Sequence, residues 1–205
     1  MDLAGLLVFA LAYLMATASP GPGVAAVVAR TLARGPGGSA GFIAGFVLGD
    51  LLWFSVAASG LALLAEAFAA LFTALRYAGA AFLLFLAWKL WTAPAVVPGA
   101  GPPPARQERG GRLFLAGVAI TLGNPKVIVF FLALLPTVVD LPSLTVWGFV
   151  EIALLSAAIL TAVMAGYTLA AARARRLLSS PRAVRAVNRG SGAAMAGAAV
   201  AVAAR

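Results

Sequence analysis

Residues 3–29 read LAGLLVFALAYLMATASPGPGVAAVVA, a run without a charged side chain. A bilayer core about 30 Å thick needs about 20 mostly apolar residues to span it as a helix. Inside this run stands Ser19-Pro20-Gly21-Pro22-Gly23. Proline removes a backbone donor and clashes with the preceding turn, so a helix through this stretch must kink or break. Freed backbone groups at membrane depth are tolerated only where protein or a water-filled cavity satisfies them. A broken membrane span is the feature from which the rest of the chain is read.

The whole composition agrees with a membrane setting. Of 205 residues, 63% are hydrophobic and 10% charged, whereas soluble domains are about a quarter charged. A water-soluble globule, a disordered tail and a coiled coil are excluded. The chain has no His and no Cys. That removes disulfides, thiol catalysis, Cys/His zinc sites and Ser-His nucleophile pairs, so neither a metal nor a cofactor is expected. The net charge of +9 reads as topology, because membrane proteins gather Lys and Arg in cytoplasmic loops. No nucleic-acid partner is implied.

Charges then mark the spans. After 3–29, apolar stretches run over about 37–65 (interrupted by Asp50), 72–91, 113–139 (containing Lys126), 144–172 (containing Glu151) and 186–204. Arg30 and Arg34 follow the first stretch. Arg106, Arg109 and Arg112 follow the third, and Arg173, Arg175, Arg176, Arg182 and Arg185 follow the fifth. The other connections carry Glu66 and Asp140 and no Lys or Arg, and Asp2 precedes the first span. This alternation predicts six helices in the inner membrane with both termini outside. Five spans, with one apolar stretch lying along the surface, is the alternative. Arg76, near the outer end of the third stretch, is expected to snorkel to the interface. Ala16-Thr17-Ala18 resembles a signal-peptide cleavage site, but a basic n-region is lacking, so the first span is read as uncleaved.

Residues 93–111 are rich in Pro and Gly and are read as a flexible cytoplasmic loop. They separate a first three-helix repeat, 1–92, from a second, 112–205. The fourth span also carries a breaker, Gly123-Asn124-Pro125-Lys126. At about 1.5 Å per residue, Pro22 lies roughly 12 Å from Arg30 and Asn124 roughly 18 Å from Arg112. Both breaks therefore fall near the middle of the bilayer, each in the first helix of its half. Three spans per half make the halves point in opposite directions. The expected fold is an all-α integral membrane protein of two inverted three-helix repeats, a layout whose substrate sites lie at paired broken helices. An exposed helix N-terminus favours a carboxylate and a C-terminus an ammonium, which suits a zwitterionic amino acid.

The ionisable groups at depth are few. Asp50 is costly in hydrocarbon and reads as a proton-carrying or ammonium-binding carboxyl, or as a structural ion pair with Lys126. Gly41, Gly45 and Gly49 precede it at four-residue spacing, a stripe for close helix packing. Lys126 could bind a substrate carboxylate, neutralise Asp50 or reach the carbonyl end of a broken helix. Glu151 lies roughly 10 Å from the outer surface, lining either a vestibule or the interface. Trp53, Phe54, Tyr77 and Phe82 are candidate cavity aromatics. Ser19, Pro20, Gly21, Pro22, Gly23, Asn124, Pro125 and Lys126 are the candidate transport path.

These motifs resemble one family over about residues 5–140. Ser19-Pro20-Gly21-Pro22 resembles the PGP motif of the LysE/RhtB amino-acid exporters. Gly41 to Asp50 resembles that family's second-helix glycines and GD pair. Tyr77-Ala78-Gly79-Ala80-Ala81-Phe82-Leu83 with Trp88-Lys89-Leu90 resembles its third helix, and Gly123-Asn124-Pro125-Lys126 followed by Phe130-Phe131 its NPK motif. The sequence departs from the pattern at Gly23, usually polar, at Phe82, usually Tyr, and at Thr137-Val138, usually Gln-Phe. The resemblance implies an inner-membrane efflux permease of about six helices, driven by the proton motive force.

The leading expectation is proton-coupled secondary export of a small amino acid or related metabolite, embedded in lipid, with a homodimer permitted by the glycine stripes. An enzyme is not expected, since an aspartyl protease would need two carboxylates at one depth. The alternatives are a channel or structural membrane subunit, or a cation exporter using carboxylates alone.

Overall fold

The computed structural model describes residues 3–60, 77, 81, 84–85, 87–89, 91–94, 110–141, 143–176 and 180–203. Among these the secondary structure is helical. Most of the third apolar stretch, Phe82 included, and most of the Pro/Gly-rich loop lie outside the described residues.

Helix α1 spans Leu3–Ala18 and ends where Pro20 disfavours helical geometry in the residue before it. Gly21 is extended, and Pro22 opens α2, Pro22–Arg34, at the position where its missing N–H costs nothing. The two axes meet at 52°. Helix α2 ends at Gly35, whose φ of 82° is open to glycine but strained for other residues. The Arg30 guanidinium then staples the turn, donating to the carbonyl of Gly35 at 3.2 Å, to that of Gly37 and to Ser39 Oγ at 3.4 Å.

Helix α3, Ser39–Ala58, packs along α4, Gly110–Leu122. Glycine permits the approach. A Cβ at Gly45 would lie 2.1 Å from the Phe114 carbonyl oxygen, and one at Gly117 would lie 2.4 Å from that of Phe42. Two helix backbones are thus in direct contact, the packing mode that small-residue stripes allow.

Helix α4 breaks at Gly123-Asn124, and the segment Pro125–Val138 runs at 56° to it, opening with α5, Pro125–Val129. Residues Phe130–Leu134 form a π-turn, followed by α6, Leu135–Val138. Pro136 explains the wide turn. It donates nothing to Leu132 and its ring crowds that carbonyl. The Leu135 N–H accordingly reaches back five residues to the Phe130 carbonyl.

Helix α7, Val146–Arg176, starts beneath Thr145, whose hydroxyl accepts the Gly148 N–H at 3.1 Å, a capping bond that satisfies an orphan donor. It packs on α1, α2 and α3, and near its end Arg175 Nε donates to the Leu32 carbonyl at 3.0 Å. Helix α8, Pro181–Ala203, is capped by Ser180, whose Oγ accepts the Ala183 N–H at 3.2 Å. It packs on α2 and meets the tail of the third stretch, where a Cβ on Gly192 would lie 2.9 Å from the Ala87 carbonyl oxygen. Among the described residues α3 and α7 are each long and apolar enough to span a membrane. Counting each bent pair as one span gives up to four. Helix α8 is not among them; Arg182, Arg185 and Arg189 dilute its apolar content.

Candidate functional site

The two breaks meet at a cleft of about 490 Å³, measured with its open mouth. Tyr13, Thr17, Gly21, Gly23 and Val24 form its wall on the first broken span. Thr121, Asn124, Lys126, Val127, Phe130 and Phe131 form it on the second. Phe46 and Asp50 come from α3, and Leu160 and Met164 from α7.

The two broken spans are tied together by polar bonds. Lys126 Nζ donates to the Ser19 carbonyl at 2.6 Å and to Ser19 Oγ at 2.8 Å. The Tyr167 hydroxyl, from α7, donates to the Ala18 carbonyl at 2.7 Å. These carbonyls are the loose C-terminal end of α1, which carries partial negative charge and attracts a cation. Lys126 therefore takes the third of the roles open to it in the sequence. It forms no ion pair with Asp50, although both line the same cleft.

The two half-helix N-termini differ. At α5, the Asn124 side chain accepts the Lys126 N–H at 3.1 Å, and the Asn124 carbonyl accepts those of Val127 and Ile128. At α2, no side chain caps Gly21, and the Ala25 N–H returns to the Gly21 carbonyl. Gly23 and Val24 at this uncapped end both line the cleft, an arrangement that favours an anionic group. Asn124→Ala removes the α5 cap and is expected to lower stability by about 1 kcal/mol. Thermal unfolding in detergent checks this; an unchanged midpoint would show that the cap is dispensable.

Asp50 is only 4% exposed. Its Oδ2 accepts the Tyr13 hydroxyl at 2.5 Å. The sequence reading missed Tyr13. The available signal was that a buried tyrosine hydroxyl needs a partner, and Asp50 is the buried carboxylate among the described residues. The glycine stripe helps set the position of Asp50. A Cβ on Gly49 would lie 2.5 Å from Thr121 Cβ, so this turn of α3 lies directly against the cleft wall.

Two candidates fall elsewhere. Trp53 is buried one turn further along α3 and does not line the cleft. Glu151 is exposed and does not line it either. The cleft meets α7 at Leu160, nine residues or about 14 Å further along that helix. Pro20, Pro22 and Pro125 act through the backbone, setting the breaks without touching the cleft.

Residues 14–205 match the family described as LysE type translocator. The chain belongs to that family. The LysE match covers both breaks, Asp50 and all of α7. Among curated proteins, the chain is 29% identical to an uncharacterized membrane protein of Vibrio cholerae serotype O1, over 92% of this chain and 91% of that protein. It is 27% identical to the homoserine/homoserine lactone efflux protein of Salmonella typhi, over 85% of this chain and 84% of that one. It is also 27% identical to the threonine efflux protein of Escherichia coli K12, over 61% and 62% respectively. No solved structure gives a significant match to this LysE chain.

Proposed function

We propose that this protein is a secondary active exporter of small amino acids in the inner membrane, with six spans arranged as two inverted three-helix repeats and both termini outside. The observation that carries the reading is the meeting of two broken helices at one cleft holding Asp50, Lys126 and an uncapped half-helix N-terminus. A zwitterion matches these groups. Its ammonium pairs with the Asp50 carboxylate, and its carboxylate with the backbone N–H groups at the start of α2. The names of the relatives, homoserine and threonine efflux proteins, agree with a small amino-acid substrate.

In this reading the halves 1–92 and 112–205, joined by the loop 93–111, rock about the cleft to expose it alternately. Asp50 also carries the coupling proton: it is loaded from outside, where protons are abundant, and gives the proton up inside as substrate ammonium takes the carboxylate. Lys126 does not contact substrate first. It holds the α1 end through Ser19, keeping the two breaks in register. Lipid surrounds the bundle. The glycine stripe of α3 is taken up by α4, and a homodimer is compatible instead with α8, where Gly190 and Gly197 have nothing within 4 Å of a Cβ position.

Counterflow in proteoliposomes tests the function. Labelled L-threonine or L-homoserine should enter faster when unlabelled substrate waits inside. A channel shows no such acceleration.

A further inference from the structure

The cleft is bounded on one side by aromatic rings. The Tyr13 ring stacks on Phe9 at 5.6 Å between centroids and contacts Phe130 at 5.2 Å and Phe131 at 6.0 Å. Phe131 contacts Phe54 at 6.2 Å, and Phe54 stacks on Phe149 at 4.6 Å. Phe9, Phe54 and Phe131 are fully buried. The layer draws on α1, α3, the π-turn and α7, and so on both halves of the chain. Beyond it, Phe149 lines a second pocket with Ala58, Leu144, Thr145 and Val146. The rings therefore stand between the cleft and the end of the bundle where α3 finishes and α7 begins.

Tyr13 belongs to both the layer and the charged site. We propose that Tyr13 is a positioning residue that couples occupancy of Asp50 to an aromatic gate on the Ala58–Val146 side of the cleft. Its hydroxyl holds the Asp50 carboxylate while its ring holds Phe130 and Phe131 in place. A substrate ammonium competes with that hydroxyl for the same carboxylate. The competition supplies the differential interaction a ligand needs to shift a two-state element. The π-turn Phe130–Leu134 is the other half of the device. Such turns interrupt the regular helix ladder and recur at functional sites, and this one carries the two phenylalanines that Tyr13 restrains. The other charged or titratable group at Asp50 is Lys126, from α5, and it is held by Ser19. The facing residues of α7, Leu160 and Met164, carry no charge. Tyr13 is thus the group that senses a newcomer at Asp50. The proposal rests on reading the cleft as the substrate site.

The absence of cysteine makes a direct test available. Val127→Cys places a single thiol in the cleft wall, and its labelling by a membrane-impermeant maleimide is followed from the Ala58–Val146 face. Ser143→Cys, exposed near that face, identifies which vesicles present it. With Tyr13 intact, labelling of the Val127→Cys protein should be slow and should rise at least about fivefold with saturating L-threonine, as for a gate whose open form is a minor population. In the Tyr13→Phe background labelling should be fast from the start and indifferent to L-threonine. Phe54→Ala leaves the Tyr13–Asp50 bond in place and should also give fast labelling, which keeps the test usable if Tyr13→Phe does not fold. Slow, L-threonine-responsive labelling in Tyr13→Phe, or wild-type-like slow labelling in Phe54→Ala, overturns the gate. Fast labelling in both variants, with no counterflow of any amino acid by the parent protein, upholds the gate and instead overturns the amino-acid reading.

Discussion

Asp50→Asn is expected to abolish pH-driven amino-acid export while the protein still folds. The substitution keeps the shape of the side chain and leaves a carbonyl oxygen that still accepts the Tyr13 hydroxyl, now bonded to Asp50 at 2.5 Å. What it removes is the buried negative charge. Losing one charge of the proposed carboxylate–ammonium pair with substrate costs about 2–5 kcal/mol. Flux should therefore fall roughly 30-fold or more, and the residual flux should not respond to an imposed pH gradient. Stability should hold or rise, because an ionised carboxylate in the core is itself costly. Export and thermal unfolding are measured on the same preparation. Full pH-driven export by Asp50→Asn would remove both roles assigned to this residue.

Gly45→Val is expected to have the largest effect on stability. The first atom of any side chain at this position would lie 2.1 Å from the Phe114 carbonyl oxygen and 3.0 Å from Gly117 Cα. Both are backbone atoms, so no rotamer change relieves the clash and α3 must move away from α4. Overpacking typically costs about 1–3 kcal/mol, and occasionally more when backbone must shift. Gly45→Val belongs at or above the upper end. It should appear as a loss of monodisperse protein on extraction and a much lower unfolding midpoint. Gly166→Ala is the control. Nothing lies within 4 Å of its Cβ position, so the substitution should be neutral or should stabilise by about 0.5–1 kcal/mol through lower unfolded-chain entropy. Equal behaviour of the two variants would mean that the glycine contacts do not hold the bundle together.

The parts of the structure legible in the sequence were those with a strong local cause. Pro20, Pro22 and Pro125 cannot continue a helix, so both breaks could be located from residue types alone. Spacing from the arginine-rich connections also set Asp50 and Lys126 apart, and both line the cleft. Direction around the helix is harder to read. Lys126 had three possible partners, and only the tertiary arrangement, which brings Ser19 within reach of its ammonium, selects Ser19. Trp53 and Glu151 were reasonable cavity candidates by composition, but one lies a turn too far along α3 and the other nine residues from where α7 touches the cleft. Nothing in an uncharged apolar span sets Tyr13 apart from its neighbours. The π-turn had a visible cause in Pro136, yet its consequence depends on how the chain relieves the crowding at Leu132, a local adjustment that residue types do not dictate. Most of the third apolar stretch, Phe82 included, lies outside the described residues.

The role proposed for the two broken helices is to form one site that carries a small amino acid across the membrane. Counterflow by the purified protein in proteoliposomes tests it most directly, because it needs no gradient and no assumption about coupling. Labelled L-threonine or L-homoserine should enter vesicles loaded with the unlabelled compound faster than empty ones. This exchange should persist when the pH gradient is collapsed. Equal entry into loaded and empty vesicles, for these two and for every other amino acid tried, would contradict that role.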